Sequence, residues 1–115
     1  MVTKIAIMGA GKLGSALGYV LRDSGTSVAL WDVDSNKMPE RASLSEVVAG
    51  AGSVLLCVPS WVTRQAAESA RDYLDGPEVA VFTLAKGIEE KTNLFMTEVL
   101  AEALPAGQTL GAVSG

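Results

Sequence analysis

The sequence predicts an α/β fold: a mostly parallel sheet of five or six strands, with helices on both faces, in one domain of 115 residues. Three observations carry that expectation. Short apolar runs alternate with stretches of helical period along the whole chain, the pattern of βαβ units. The first apolar run ends in three glycines at fixed spacing, where a helical pattern takes over. Apolar residues make up 49% and charged residues 19%, enough for a sizeable core and far from a disordered composition.

Lys4-Ile5-Ala6-Ile7-Met8 reads as a buried strand stopped by Gly9. Leu13, Ala16, Leu17, Val20 and Leu21 then recur at helical spacing. They predict one buried face of a helix ending near Asp23, with Gly25 as its left-handed terminator. Val28 to Trp31 is a second strand, closed by Asp32. Val33 to Arg41 is polar, holds Pro39 and reads as loop, with room for a short sixth strand near Arg41-Ala42. Ser43 and Glu46 have the spacing of a capping box for a short helix through Val47 to Ala49, which Gly50 and Gly52 break.

Ser53 to Val58 is the next buried strand, with Cys57 inside it as a small core residue. Pro59-Ser60 stops it and is placed to cap the following helix, whose apolar repeat is Val62, Ala66, Ala70, Tyr73 and Leu74. Gly76-Pro77 turns the chain into a strand from Val79 to Leu84, which Lys86-Gly87 leaves. A further helix is expected from Thr92 to Leu104, apolar at Phe95, Val99, Leu100, Ala103 and Leu104. Thr109 to Val113 is a last strand, cut off at Ser114-Gly115.

Gly9-Ala10-Gly11-Lys12-Leu13-Gly14 is a full G-x-G-x-x-G pattern between a predicted strand and a predicted helix. Gly9 would make the tight turn, Gly11 would admit a pyrophosphate to the backbone, and Gly14 would let helix and sheet pack closely. The unpaired N–H groups at the helix start then meet the negative charge. Asp32 lies 18 residues beyond Gly14 at the end of the second strand, where a carboxylate accepts from ribose hydroxyls and repels a 2′-phosphate. The sheet is therefore expected to be of the Rossmann type, with NAD rather than NADP as cofactor and Asp34 as a weaker substitute for Asp32.

Open α/β sheets bind ligands at the carboxyl ends of their strands, where Pro59, Ser60, Trp61, Lys86 and Gly87 also fall. Trp61 could cover part of the cofactor or pack on its own helix. Lys86 could place a cation beside the nicotinamide or a phosphorylated substrate, although position alone fits a solvated strand-end lysine better.

Composition narrows the function classes. Nine basic against 13 acidic residues give a net charge of −4, which argues against a nucleic-acid backbone or an anionic membrane as main partner. No apolar stretch approaches a membrane span, and the start lacks a signal-peptide pattern, so the cytoplasm is expected. With one cysteine and no histidine, the chain has no Cys/His zinc cluster, no histidine-based triad and no intrachain disulfide.

The whole pattern resembles the amino-terminal domain of NAD(P)-dependent glycerol-3-phosphate dehydrogenases. The resemblance rests on Ile7-Met8-Gly9-Ala10-Gly11 with Gly14, on Leu30-Trp31, and on Cys57-Val58-Pro59-Ser60 with Arg64. It continues in Ala85-Lys86-Gly87-Ile88-Glu89, Met96 to Leu100, and Ala112-Val113-Ser114-Gly115. It implies reversible reduction of dihydroxyacetone phosphate to glycerol 3-phosphate, with a second, helical domain making most substrate contacts. It also implies that Lys86 is the lysine this domain lends to the active site, and that Pro59 and Ser60 line the cofactor. An ammonium group there can stabilise the negative charge that develops on a carbonyl oxygen during reduction.

Four departures qualify it. Lys12-Leu13 replaces a tryptophan-containing step of the family's glycine loop, and the span from Val33 to Ser53 is shorter, so a strand or adenine-side loop is expected to be reduced. Asp32 stands where many bacterial members carry arginine or another residue suited to the 2′-phosphate, which favours NAD. The chain reaches Gly115 just where the family continues into its second domain, so this domain alone is expected to be inactive or nearly so. Two other readings are compatible with the residues: the NAD-binding domain of another two-domain reductase, acting on a 2-hydroxy acid or an imine, or a free-standing NAD-binding or redox-sensing module. A homodimer is possible in either.

Overall fold

The computed structural model describes residues 3–38 and 40–113. Five strands, β1 (Lys4–Met8), β2 (Ser27–Trp31), β3 (Ala51–Leu56), β4 (Ala80–Thr83) and β5 (Thr109–Ala112), form one sheet in the order β2-β1-β3-β4-β5. Every neighbouring pair is parallel. The helices are α1 (Lys12–Asp23), α2 (Leu44–Val48), α3 (Ser60–Ala70) and α4 (Met96–Ala103).

This order fixes where the helices lie. The chain moves one way from β1 to β2 and the other way in every later crossover. Right-handed connections therefore put α1 on one face and α2, α3 and α4 on the other. The cores follow: Ala6, Met8, Val54, Leu56, Val81 and Leu100 belong to a large cluster on the three-helix face. Ile7, Ala10 and Leu30 form a smaller one, with Leu17 and Leu21 of α1 packed on it. No described helix is long and apolar enough to cross a membrane.

Several expected elements shift, each for a local reason. β3 begins at Ala51 rather than Ser53, because the β1/β3 register slips between Lys4 and Ile5 and takes up Gly52 as a bulge. It ends at Leu56, so Cys57 lies just past the strand instead of inside it. The helix expected from Thr92 starts only at Met96. Asn93 adopts φ 61°, its N–H donates to the Glu89 carbonyl, and the Glu89 N–H donates to the Leu94 carbonyl, closing a turn that no helix can pass through. The capping box at Ser43 and Glu46 forms as the spacing predicts. Residues 41 and 42 form no strand, so the sheet has five strands. Ser114 and Gly115, the end of the last family motif, lie outside the described residues.

The face of α1 differs most from expectation. Its buried residues are Gly14 and Gly18, while Leu13 and Val20 are 53% and 61% exposed. A Cβ on Gly18 would come within 2.9 Å of Leu30 Cδ1. The two glycines let the helix axis approach the sheet; Leu17 and Leu21 pack on the smaller core as expected, and Leu13 and Val20 are turned aside.

Candidate functional site

All five strands end on one edge of the sheet, and the loops part at the point where the order reverses, between β1 and β3. That crevice is where open α/β sheets take ligands. Gly9 carries the chain out of β1 with φ 106°, and its N–H donates to the Trp31 carbonyl at 2.7 Å. A Cβ there would collide with the carbonyl of Cys57, and a Cβ on Gly14 would collide with the carbonyl of Gly9. These two glycines hold the turn against β3 and α1 against the turn.

Gly11 is different. A Cβ there would meet nothing within 4 Å, so packing does not require this glycine. It is the N-cap of α1, and no side chain caps the helix among the described residues. The first intrahelical bond runs from the Ser15 N–H to the Gly11 carbonyl, so the N–H groups of Lys12, Leu13 and Gly14 face the space beside Gly11. An open backbone step before a helix with an uncapped start fits a pyrophosphate.

Asp32, just past β2, is tied into the same turn. Its Oδ2 accepts the Ala10 N–H at 2.7 Å and its Oδ1 accepts the Asp34 N–H at 2.8 Å. Each oxygen keeps a further lone pair for a ribose hydroxyl. Beside it lies a cleft of about 140 Å³, walled by Gly9, Trp31, Asp32, Val33, Val58 and Val62 among others. Its mostly apolar walls and its place beside the Asp32 carboxylate suit a flat apolar ring. Sequence reasoning missed the valines; the one signal in the sequence was an apolar residue, Val33, directly after the acid in a polar loop, and the structure leaves it 88% exposed.

The structure bonds Ala10 directly to Asp32 and sets Gly9 on the same cleft. Pro59, Ser60 and Lys86 fall on the same edge, after β3 and β4, but outside the walls of the cleft. Of the Pro59-Ser60 pair expected to cap α3, Pro59 takes the N-cap position, without a side-chain cap bond. Lys86 is exposed. Trp61 is 81% exposed and does not line the cleft.

The loop that carries Lys86 is braced by groups that composition did not single out. Arg64 of α3 donates from Nε and Nη2 to the two oxygens of Glu89 at 2.9 Å, and from Nη2 to Glu102 at 2.9 Å. Thr92 Oγ1 adds a 2.7 Å bond to Glu89. These hydrogen bonds, Arg64 first, hold the Glu89 carboxyl down at about 2. The folded pKa is depressed, so the stabilisation is present above the usual carboxylate range and is lost as pH falls toward 2. Glu89→Gln is thus expected to flatten the acid limb of the stability–pH curve between about pH 5 and 2, as followed by urea midpoints. An unchanged acid limb would show that the pair contributes nothing.

Cys57 sits where β3 meets the crevice, and burial pushes its thiol up to about 11. It is a thiol, not a thiolate, at neutral pH. Alkylation of the folded protein at pH 8 is expected to run about a hundredfold slower than that of an exposed model thiol. A rate equal to the model thiol, measured by mass spectrometry, would contradict that environment.

Comparison with known proteins agrees with this geometry. The family model described as NAD-dependent glycerol-3-phosphate dehydrogenase N-terminus matches residues 4–42 and 35–115, two segments that meet in the loop after β2. The glycerol-3-phosphate dehydrogenase [NAD(P)+] of Clostridium perfringens is 33% identical over 126 residues, covering 90% of this chain and 38% of that protein. The crystal structure of glycerol-3-phosphate dehydrogenase from Coxiella burnetii superposes with a TM-score of 0.84 at 25% identity, over 99% of this chain and 41% of that one. A pyrroline-5-carboxylate reductase from the same organism shares the fold, with a TM-score of 0.77 at 16% identity over 96% of this chain and 43% of that one. The chain thus spans about two fifths of the length of these relatives. It belongs to the NAD-dependent glycerol-3-phosphate dehydrogenase family, as an amino-terminal NAD(P)-binding domain of the oxidoreductase type.

Proposed function

We propose that this domain binds NAD(H) and serves a cytoplasmic dehydrogenase that interconverts glycerol 3-phosphate and dihydroxyacetone phosphate. The observation that carries the reading is the bond from the Ala10 N–H to Asp32. It joins the phosphate cradle to the ribose acceptor and sets both beside the apolar cleft. Gly11 to Gly14 hold the pyrophosphate through backbone N–H groups, and the Asp32 carboxylate accepts the ribose hydroxyls and disfavours a 2′-phosphate. Asp34 adds to the negative charge nearby.

When bound, the dinucleotide supplies hydride at its nicotinamide. Pro59 and Ser60 border the cofactor, and Lys86 stabilises negative charge on the substrate, at its carbonyl oxygen or its phosphate. The groups that enclose the substrate belong to a second domain, because positioning and water exclusion need walls on both sides. This domain by itself is therefore expected to bind NADH without turning over glycerol 3-phosphate.

Calorimetric titration with NADH and NADPH tests the reading, with NADH binding tighter. Gly11→Ala is the accompanying variant. It is expected to leave the urea midpoint unchanged and to weaken NADH about tenfold or more, because the methyl enters the space that the pyrophosphate must occupy. Unchanged affinity would remove the cradle from this position.

A further inference from the structure

Helix α3 serves two neighbours. Val62, Gln65, Ala66 and Ser69 recur at helical spacing and wall the cleft beside Asp32. Trp61, Arg64 and Glu68, at i, i+3 and i+7, lie on the adjoining flank. There they border a hollow of about 590 Å³ with Ile88 and Glu89 of the loop between β4 and α4. One helix therefore stands between the apolar cleft and the loop that carries Lys86.

That loop ends in a closed turn. Ile88 bridges Phe95, the Glu89 N–H donates to the Leu94 carbonyl at 2.9 Å, and the Asn93 N–H donates to the Glu89 carbonyl at 2.8 Å. Lys86 lies between this turn and the end of β4, where the Leu84 N–H donates to the Leu56 carbonyl and the Ala85 N–H to Thr83 Oγ1. Gly87 joins Lys86 to the turn at φ 90°, with nothing within 4 Å of where its Cβ would be. A glycine joint in open space leaves the direction of the turn to be fixed from elsewhere.

Arg64 supplies that anchor. Its fork donates to both oxygens of Glu89 at 2.9 Å, at the residue whose backbone closes the turn. The Glu89 side chain is only 14% exposed, whereas Glu102, which takes the third bond, is 56% exposed. Two parallel bonds from a planar guanidinium set an orientation as well as a distance, which a lysine ammonium does not.

We propose that Arg64 is a positioning residue for Lys86: by clamping Glu89 to α3, it holds the Lys86 loop at a fixed place relative to a cofactor bound on the adjoining flank of the same helix. The inference rests on the proposed role of Lys86 and extends it to a pair that touches neither cofactor nor substrate. Misplacing a reacting group by about 1 Å costs on the order of a hundredfold in rate, so a lysine on a glycine-jointed loop needs such a brace.

The test reads Lys86 directly, in the present chain carrying lysine labelled with 13C at Cε, its signal assigned by loss in Lys86→Arg. NADH is expected to shift that signal in the parent. In Arg64→Met the shift is expected to fall about threefold or more, while the NADH dissociation constant stays within about twofold, because the cleft flank of α3 is untouched. Arg64→Lys keeps the charge without the fork and is expected to resemble Arg64→Met. Glu102→Gln removes only the outer ion pair and is expected to resemble the parent. Should Arg64→Met fail to fold, Glu89→Gln carries the same test, since its amide turns a donor toward the guanidinium.

A pair that serves stability alone would lower the urea midpoint of Arg64→Met and leave the Lys86 shift intact, which overturns the proposal. A full shift in Arg64→Lys also overturns it, since charge would then suffice, as does a fall in NADH affinity that matches the fall in shift. Failure of the underlying reading looks different. NADH that binds the parent without shifting Lys86 removes the lysine from the nicotinamide, and no binding removes the cofactor reading; either takes the inference with it.

Discussion

Gly14→Ala is expected to destabilise the domain by on the order of 3 kcal/mol, a large part of the roughly 5–15 kcal/mol that holds a domain of this size together. The reason is steric. The added Cβ collides with the carbonyl of Gly9, which is backbone in a turn already pinned to Trp31, so neither partner can rotate away. Either α1 lifts from the sheet or the turn opens, and both undo the smaller core cluster around Ile7, Ala10 and Leu30.

Three other glycines separate the causes. Gly25→Ala puts a side chain at φ 92° in open space, so it reports the conformational cost alone, about 1 kcal/mol. Gly9→Ala combines φ 106° with a collision against the Cys57 carbonyl and should be at least as damaging as Gly14→Ala. Gly11→Ala has neither and should fold like the parent. Urea denaturation of the four variants checks the order Gly11, Gly25, Gly14, with Gly9 beside or beyond Gly14. A Gly14→Ala midpoint within error of the parent would mean that the helix is not seated as described.

That series also shows what the sequence could and could not reveal. The spacing of the three glycines located the turn because it falls between a predicted strand and a predicted helix, the context in which that pattern marks a βα turn. It assigned each glycine its task, and the collisions at Gly9 and Gly14 fit the tight turn and the close packing assigned to those two. The face of α1 was not legible in the same way. Leu13, Leu17 and Val20 have the right period for a buried face, yet periodicity records which residues are apolar and not which neighbour they meet. Gly18, with no apolar side chain to signal burial, sits on the sheet.

The helix expected from Thr92 to Leu104 forms from Met96, and its late start has a related reason. Residues 92–95 carry no proline or glycine, and the turn comes from Asn93 at φ 61° and from the backbone bonds of Glu89, whose carboxylate is held by Arg64 25 residues away in sequence. A long-range ion pair that organises a turn leaves no local mark. The short span after Asp32 was legible as a reduction, and the structure places the result at the β2 edge, where no further strand pairs among the described residues.

Asp32→Asn is expected to change both cofactor preference and the turn that receives the cofactor. In the parent both carboxylate oxygens accept a backbone N–H, from Ala10 and from Asp34. An asparagine offers one oxygen and one NH2, so whichever way it turns, a donor faces a donor. The cost is about 1–3 kcal/mol for the unsatisfied contact, read as a lower urea midpoint. On the proposed reading, in which Asp32 faces the ribose, loss of its negative charge should shift the balance from NADH toward NADPH by about tenfold or more in calorimetric titration. Asp32→Ala separates the effects, since it removes the charge and opposes no donor, leaving room for water at the two N–H groups. It should narrow the preference as much while costing less stability than Asp32→Asn. If both variants keep the parent's preference, Asp32 acts only as a clasp on the glycine turn. If the parent itself binds NADPH more tightly, the carboxylate does not face the ribose.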